Sequence, residues 1–389
     1  MSIIIFLIIL GILVLVHEFG HFIAAKKNGV LVEEFGFGFP PRLIGKKIGE
    51  TIYSFNLIPF GGFVKLFGEE YKEVGTDRDL TAARKKRAFV YKPPSIKALI
   101  IVAGVLMNII LAVFLYYFTL SLNNFRSEPL PLLNNYSFRF GKQENRIVVG
   151  DISPNSPASQ TKIQIGDIAM QAGAKNTGEN IDWFSISRPD QFIDFVKNSQ
   201  DKEIYLQLEN LINGETKTIQ VTPKYDQKLK RAIIGINLIE AVVITYDTPA
   251  DRVFSGFLHS YNISAYNVSG LRYLFAQSFK QKSVEPIAQG SAGPIGIFKL
   301  VSELVESSGK KVVINLLNLL ALLSLSLAII NMIPFPALDG GRFVMVLYEW
   351  ITGRRFNAVI EKYLVVGGFL FLMVLALLVA MNDIIKIYR

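Results

Sequence analysis

The sequence predicts a polytopic α-helical membrane protein. It has four transmembrane helices, a re-entrant β-hairpin region between the first two, and an inserted extracytoplasmic α/β domain. Three observations predict this. Of 389 residues, 51% are hydrophobic and only 19% are charged, too apolar a balance for an ordinary soluble protein. Residues 2–25, 96–122, 312–333 and 364–385 are apolar runs long enough to cross a bilayer, which takes about 20 residues. The long stretch between the second and third runs instead mixes charges and turn residues.

The first span follows Met1 directly, as a signal peptide would. It lacks a basic start and a small-x-small cleavage site, so it reads as a retained helix. Residues 26–97 are rich in Lys and Arg, including Arg84-Lys85-Lys86-Arg87, and the loop after the third span carries Arg342, Arg354, Arg355 and Lys362. The positive-inside rule places both loops in the cytoplasm and the middle segment outside. Lys386 and Arg389 at the tail count weakly the other way. This asymmetry also accounts for the formal charge of +9, so no nucleic-acid partner is expected. Cysteine is absent, which excludes disulfides and thiolate metal ligands.

Between the first two spans, Phe35-Gly36-Phe37-Gly38-Phe39-Pro40 and Ile58-Pro59-Phe60-Gly61-Gly62-Phe63-Val64 are too short to cross the membrane. They alternate as strands do. Backbone of this kind is tolerated at membrane depth only where protein or a water-filled cavity covers it, so the pair reads as a re-entrant β element beside the first helix, with an ordinary cytoplasmic hairpin as the alternative.

In the outer segment, residues 147–152 read as a strand, 154–159 as a loop into a short helix, and 165–167 as a turn before another strand. Residues 189–198 read as a helix with Phe192, Phe195 and Val196 on one face. Residues 204–208 and 216–221 form a hairpin around Asn213-Gly214, and 233–238 closes the sheet. Beyond it, residues 252–275 space Val253, Phe254, Phe257, Leu258 and Tyr261 as on one helix face. Such a helix either lies on the membrane surface or packs on the outer domain. The expected divisions are 1–122, 123–250 with a core at about 141–240, 251–311 and 312–389.

Two motifs carry chemistry. In His17-Glu18-Phe19-Gly20-His21 the histidines are four apart, so a helix aims both at one metal ion, with Glu18 placed as general base toward a water there. A catalytic zinc centre uses three protein ligands and keeps one position open. His259, the third histidine, lies in the outer segment, so a carboxylate is favoured, and Asp339 is the candidate. His17 lies about 24 Å into the first helix at about 1.5 Å per residue, in the cytoplasmic half of the bilayer. Asp339 follows the third span on the same side. Pro334 and Pro336 break that helix, and Gly340-Gly341 allow a sharp turn. Asn331, one turn before the break, either contacts substrate or an oxyanion or caps the helix end. Asn108, a further polar residue in the second span, reads as helix–helix packing in preference to a catalytic role.

These residues resemble the intramembrane site-2 proteases, in their bacterial regulator-of-sigma-E (RseP-type) branch. His17 to His21 matches the family's HExGH motif, and Asn331 to Gly341 its NxxPxPxLDGG motif. Ser291 to Ile297 matches its GPxGI motif, and Pro59 to Val64 resembles its glycine-rich hairpin. The order of elements agrees across the chain. The resemblance implies one Zn2+ per chain on His17, His21 and Asp339, with Glu18 as catalytic base. It implies substrate contacts at Asn331, Gly36, Gly38, Phe60, Gly61 and Gly62. The outer domain is then PDZ-like and contacts peptides or proteins. The setting is the bacterial inner membrane, with the active site near the cytoplasmic side. The substrates are transmembrane segments, of anti-sigma-factor type or remnant signal peptides, cut in regulated intramembrane proteolysis. Three departures stand out: room for a single PDZ domain where two are common, Val105 where Pro is usual, and Arg342 where His is common. A membrane metal transporter using the same three ligands, or a non-catalytic PDZ scaffold, remains the alternative.

Overall fold

The computed structural model describes residues 1–69, 82–132, 136–175, 180–209, 215–227, 229–283, 285–290, 292–307 and 312–388, without the side chains at 59, 60, 289, 290, 307 and 386–388. It divides into two compact units, residues 117–262 and the remainder.

Four helices are long and apolar enough to span a membrane. They are α1 (Ser2–Lys27), α2 (Pro94–Leu122), α7 (Val312–Met332) and α9 (Ala358–Tyr388). The last starts six residues before the expected 364 because Asn357 caps it: its Oδ1 accepts from the backbone N–H of Val359 and Ile360, meeting two orphan donors of the first turn. The loop expected between the last two spans contains a helix, α8 (Asp339–Thr352). Its charges hide an apolar side on which Val346 is buried and Phe343 packs with Ala98 and Ile101 of α2. Lys97, 4% exposed, donates to both carboxylate oxygens of Glu349 at 3.0 and 2.8 Å. That pair ties the far end of α8 to the start of α2.

The hairpin region consists of β1 (Val32–Ile48) and β2 (Thr51–Leu66). Both strands bend, so residues 32–37 pair with 62–66 on one side and with 52–55 on the other, while 42–48 pair with 51–56. The result is a four-segment antiparallel sheet with residues 62–66 at one edge. Among the described residues that segment has a strand partner on one side only. Phe19 and Phe22 of α1 pack on Phe35 and Tyr53, with Phe22 and Phe35 ring centroids 5.1 Å apart. The aromatic contact fixes the sheet against the helix that carries the histidines.

After α2 comes a seven-stranded antiparallel sheet. Its strands are β3 (Leu130–Pro131), β4 (Lys142–Ile152), β5 (Ile168–Lys175), β6 (Ile181–Ser185), β7 (Ile204–Glu209), β8 (Thr216–Val221) and β11 (Ile236–Thr245). The order is β3-β11-β4-β5-β7-β8, with β6 on β5. The helix α3 (Pro189–Asn198) buries Phe192 and Val196 against Val149, Ile204, Leu206 and Leu208, as its spacing predicts. The hairpin of β7 and β8 forms; its expected turn at Asn213-Gly214 lies outside the described residues.

Two details differ from expectation. Strand β6 was not expected. The run 233–238 does not close the sheet as one strand: it breaks at Gly235 (φ +82°), where a Cβ would stand 2.1 Å from that of Ser156. Residues before the break join β10 (Arg231–Ile233), which pairs with β9 (Lys224–Asp226). Residues after it begin β11, which runs past the expected core boundary at 240 and pairs with β4 along its length.

The helix α4 (Pro249–Gln281) follows, then α5 (Glu285–Gly290) and α6 (Pro294–Ser307). At the start of α4 the polar side is buried: Ser255, His259, Ser260 and Asn262 are all at most 5% exposed. Val253, Phe254, Phe257 and Tyr261 are 42–66% exposed. The expected apolar face therefore exists and is not what packs on the sheet unit. At the start of α6, the backbone N–H groups of Gly293, just before it, and Gly296, in its first turn, both donate to Oδ2 of Asp383 in α9, at 3.0 and 2.8 Å.

Candidate metal centre

Helix α1 places His17 and His21 one turn apart on the same face, with Nε2 atoms 3.3 Å apart and rings edge to face at 4.9 Å. The ring His21 is oriented by the backbone: its Nδ1 lies 2.8 Å from the carbonyl oxygen of Ile100. A carbonyl can only accept, so Nδ1 carries the proton and Nε2 of the neutral ring keeps a lone pair.

The helices α1 and α2 approach so closely that side chains would not fit between them. A Cβ at Gly20 would meet the carbonyl oxygen of Ala103 at 2.3 Å, and one at Gly104 would stand 2.4 Å from His21 Nε2 and 2.9 Å from His17 Cε1. The stripe Ile100, Gly104, Asn108 on α2, four residues apart, is the seat for both imidazoles.

The third group arrives from the other end of the unit. The proline break ends α7, and the chain reverses into α8, whose first residue is Asp339. Gly340 and Gly341 permit the reversal, because a Cβ on either would overlap a carbonyl oxygen of Ile333 or Phe335 at 2.2 Å. Oδ2 of Asp339 then lies 3.0 Å from His17 Nε2 and 3.3 Å from His21 Nε2. This oxygen is buried and makes no hydrogen bond. The three candidate ligand atoms are all within 4.8 Å of one another.

An unsatisfied buried acceptor costs about 1–3 kcal/mol. A cation set among converging lone pairs removes that cost. Two imidazoles and one carboxylate make a donor set suited to zinc with an open position. The residues present therefore fit the ion.

The other anticipated residues fall around this cluster. Half-buried Glu18 lies next to the sheet edge: a Cβ at Gly62 would stand 3.6 Å from Glu18 Cγ and 3.5 Å from Val14. Asn331 has Nδ2 3.4 Å from His17 Nε2, so its amide is at the metal cluster. Gly61 and Gly62 lie at or beside the edge segment, whereas Gly36 and Gly38 are one segment further in; Gly36 pairs with Phe63 and Ser54, and Gly38 O accepts from Asn56. Phe60 is in β2, and its side chain is outside the described set.

Asn108 differs from its expected packing role. It is fully buried, and its Nδ2 lies 3.3 Å from Nδ1 of His17. Ser324 of α7 donates to its backbone carbonyl at 2.8 Å. The sequence signal for it is a lone amide four residues beyond a glycine in an apolar helix. Arg342, three residues after Asp339, pairs with Glu69 just beyond β2, a tether that sequence alone did not indicate.

Residues 5–375 match the model of peptidase family M50. The chain belongs to that family. Its relatives include proteins whose names read "putative zinc metalloprotease". One from Clostridium perfringens is 31% identical, over 99% of this chain and 99% of its own. One from Clostridium acetobutylicum is 29% identical, over 99% and 97%. One from Fusobacterium nucleatum is 29% identical over the whole of both. Among solved structures there is a partial likeness to a PDZ domain from Listeria monocytogenes, at 13% identity and a TM-score of 0.19. It covers 26% of this chain and 93% of that one. The protein is accordingly a zinc metalloprotease of the site-2 protease family, with four helices apt for a membrane.

Proposed function

We propose that the protein is an endopeptidase that cleaves transmembrane segments of other membrane proteins, with one zinc ion held by His17, His21 and Asp339. The observation that carries the reading is the buried, unbonded Oδ2 of Asp339 beside both Nε2 atoms. Zinc, when bound, supplies a Lewis acid that polarises the scissile carbonyl. Glu18 takes the proton of the attacking water and delivers it to the leaving amide nitrogen. Asn331 donates to substrate or to the developing oxyanion.

A substrate helix hides its carbonyls in its own hydrogen bonds and must unwind to be cut. The edge segment 62–66 has, among the described residues, a strand partner on one side only and begins beside Glu18, so it offers replacement bonds to an extended chain. Gly61, Gly62 and Phe60 lie along that path; Gly36 and Gly38 act from the neighbouring segment. Residues 123–250 form a PDZ-like outer module that screens substrates, and the outward apolar face of α4 rests on the membrane surface. The chain works in the bacterial inner membrane with its site toward the cytoplasm. Its role is regulated intramembrane proteolysis of anti-sigma-factor-type proteins or signal-peptide remnants.

The test compares membrane proteomes from cells carrying the native chain and its Glu18→Gln variant, with zinc content measured in both. Fragments cut within membrane segments should appear only with Glu18, at equal zinc. The same fragments from the zinc-loaded variant would remove Glu18 from the mechanism.

A further inference from the structure

We propose that Asn108 is a positioning residue that commits His17 to present Nε2 to the metal; this rests on the zinc reading above. The two histidines need the same service. A metal on Nε2 requires that the other ring nitrogen keep its proton, and a buried N–H needs an acceptor. For His21 the acceptor is the carbonyl of Ile100. For His17 no backbone carbonyl among the described residues does this; the group at its Nδ1 is the side-chain amide of Asn108, 3.3 Å away.

The amide has unused capacity. Its Nδ2 is the atom nearer the ring, and its Oδ1 is buried with no partner. A half-turn of the amide exchanges the two at nearly the same positions. Oδ1 then accepts Nδ1–H of His17, which leaves the Nε2 lone pair facing Asp339 Oδ2 at 3.0 Å. Asn331, with Nδ2 3.4 Å from that same Nε2, is a donor and so favours the same tautomer. Asn108 is itself fixed: it is fully buried, and Ser324 bonds its main chain from α7. One helix thus holds both imidazoles, one through its main chain and the other through a side chain.

The test uses the full chain in lipid nanodiscs, stripped of metal and titrated with Zn2+ against a chromophoric chelator. Asn108→Leu, which keeps the volume and loses the acceptor, should weaken zinc binding by roughly 10–100-fold. Asn108→Asp, which keeps an acceptor, should restore it to within about threefold of native. Nitrogen-15 NMR of the ring-labelled native chain with zinc should show His17 protonated at Nδ1 and coordinated through Nε2. That spectrum needs no variant, so it decides the matter even if Asn108→Leu fails to fold. Coordination through Nδ1, or native affinity in a folded Asn108→Leu, overturns the assignment of Asn108 alone. A native chain that binds no zinc overturns the metalloprotease reading with it.

Discussion

Two buried histidine environments in this chain invite comparison. His259, 4% exposed, has its Nδ1 3.1 Å from the hydroxyl of Tyr246, which also accepts from Asn262. Asn262 Oδ1 in turn accepts from the backbone of Arg139 and Phe140, and its Nδ2 donates back to Phe140 O. This is a closed polar network, and burial pushes the His259 imidazole down to about 4. His17 is as deeply buried, yet its surroundings do not close. Its Nε2 faces a second imidazole nitrogen and a carboxylate oxygen that has no hydrogen bond. Burial is common to both sites. The convergence of three candidate ligand atoms on one point separates a metal centre from a core histidine.

That difference can be tested by substitutions of decreasing effect. Removing the carboxylate should act most strongly. Asp339→Ala should cut zinc affinity on the order of 10³-fold, since one of three ligands is lost from a total binding of about 10–16 kcal/mol; equilibrium dialysis with metal analysis measures it. The open site also depends on a distant anchor, as the closed network does not. Glu349→Gln leaves Lys97 buried and unpaired, and should cost about 3 kcal/mol in denaturant-unfolding midpoint. The double change Lys97→Met with Glu349→Leu should recover most of it.

Gly104→Ala is next. An alanine in a helix ordinarily gains about 1 kcal/mol over glycine. Here the new Cβ would press on His21 Nε2, and overpacking of this sort costs about 1–3 kcal/mol. A variant that lowers both stability and zinc affinity fits the seat; one that raises either removes it.

The closed network is tested through pH, away from the metal cluster. His259 titrates lower when folded than its unfolded value of about 6.5, so the unfolded chain binds its proton first. Stability is then full above pH 6.5 and falls between about 6.5 and 4, by at most about 1.4 kcal/mol per pH unit. His259→Gln should flatten that part of the thermal-stability profile, and an unchanged slope would assign it to other groups.

The ligands were legible in the sequence because ionisable residues are costly in apolar runs, so each one stands out. The spacing of His17 and His21 states its own geometry, and the prolines before Asp339 state theirs. Asn108 was not legible as part of the site. A single amide in a membrane helix looks the same whether it meets a backbone carbonyl or a histidine, and only the pairing of α1 with α2 tells them apart. The bends in β1 and β2 were hidden for a similar reason. Alternation reports which residues form strands but not that one strand serves two partners. The helix α8 was hidden by its own Arg342 and Glu349, both of which are spent on pairing. The break at Gly235 depends on Ser156, far upstream, and no local pattern carries that information.

The contact between Asp383 and the start of α6 has a consequence for descent. Asp383 is 3% exposed and receives two backbone N–H groups, which offset the cost of its charge at the positive end of a helix. A Cβ at Gly293 or Gly296 would come within 2.8 and 3.2 Å of its carboxylate. The two glycines and the aspartate are therefore one heritable unit, since a change at any one strands the others. The middle of α9 faces the opposite regime. Only 6% of its apolar window is buried, so any oily side chain serves there. Across descendants of this chain, the helix should drift freely along most of its length while remaining tied to its partner at Asp383.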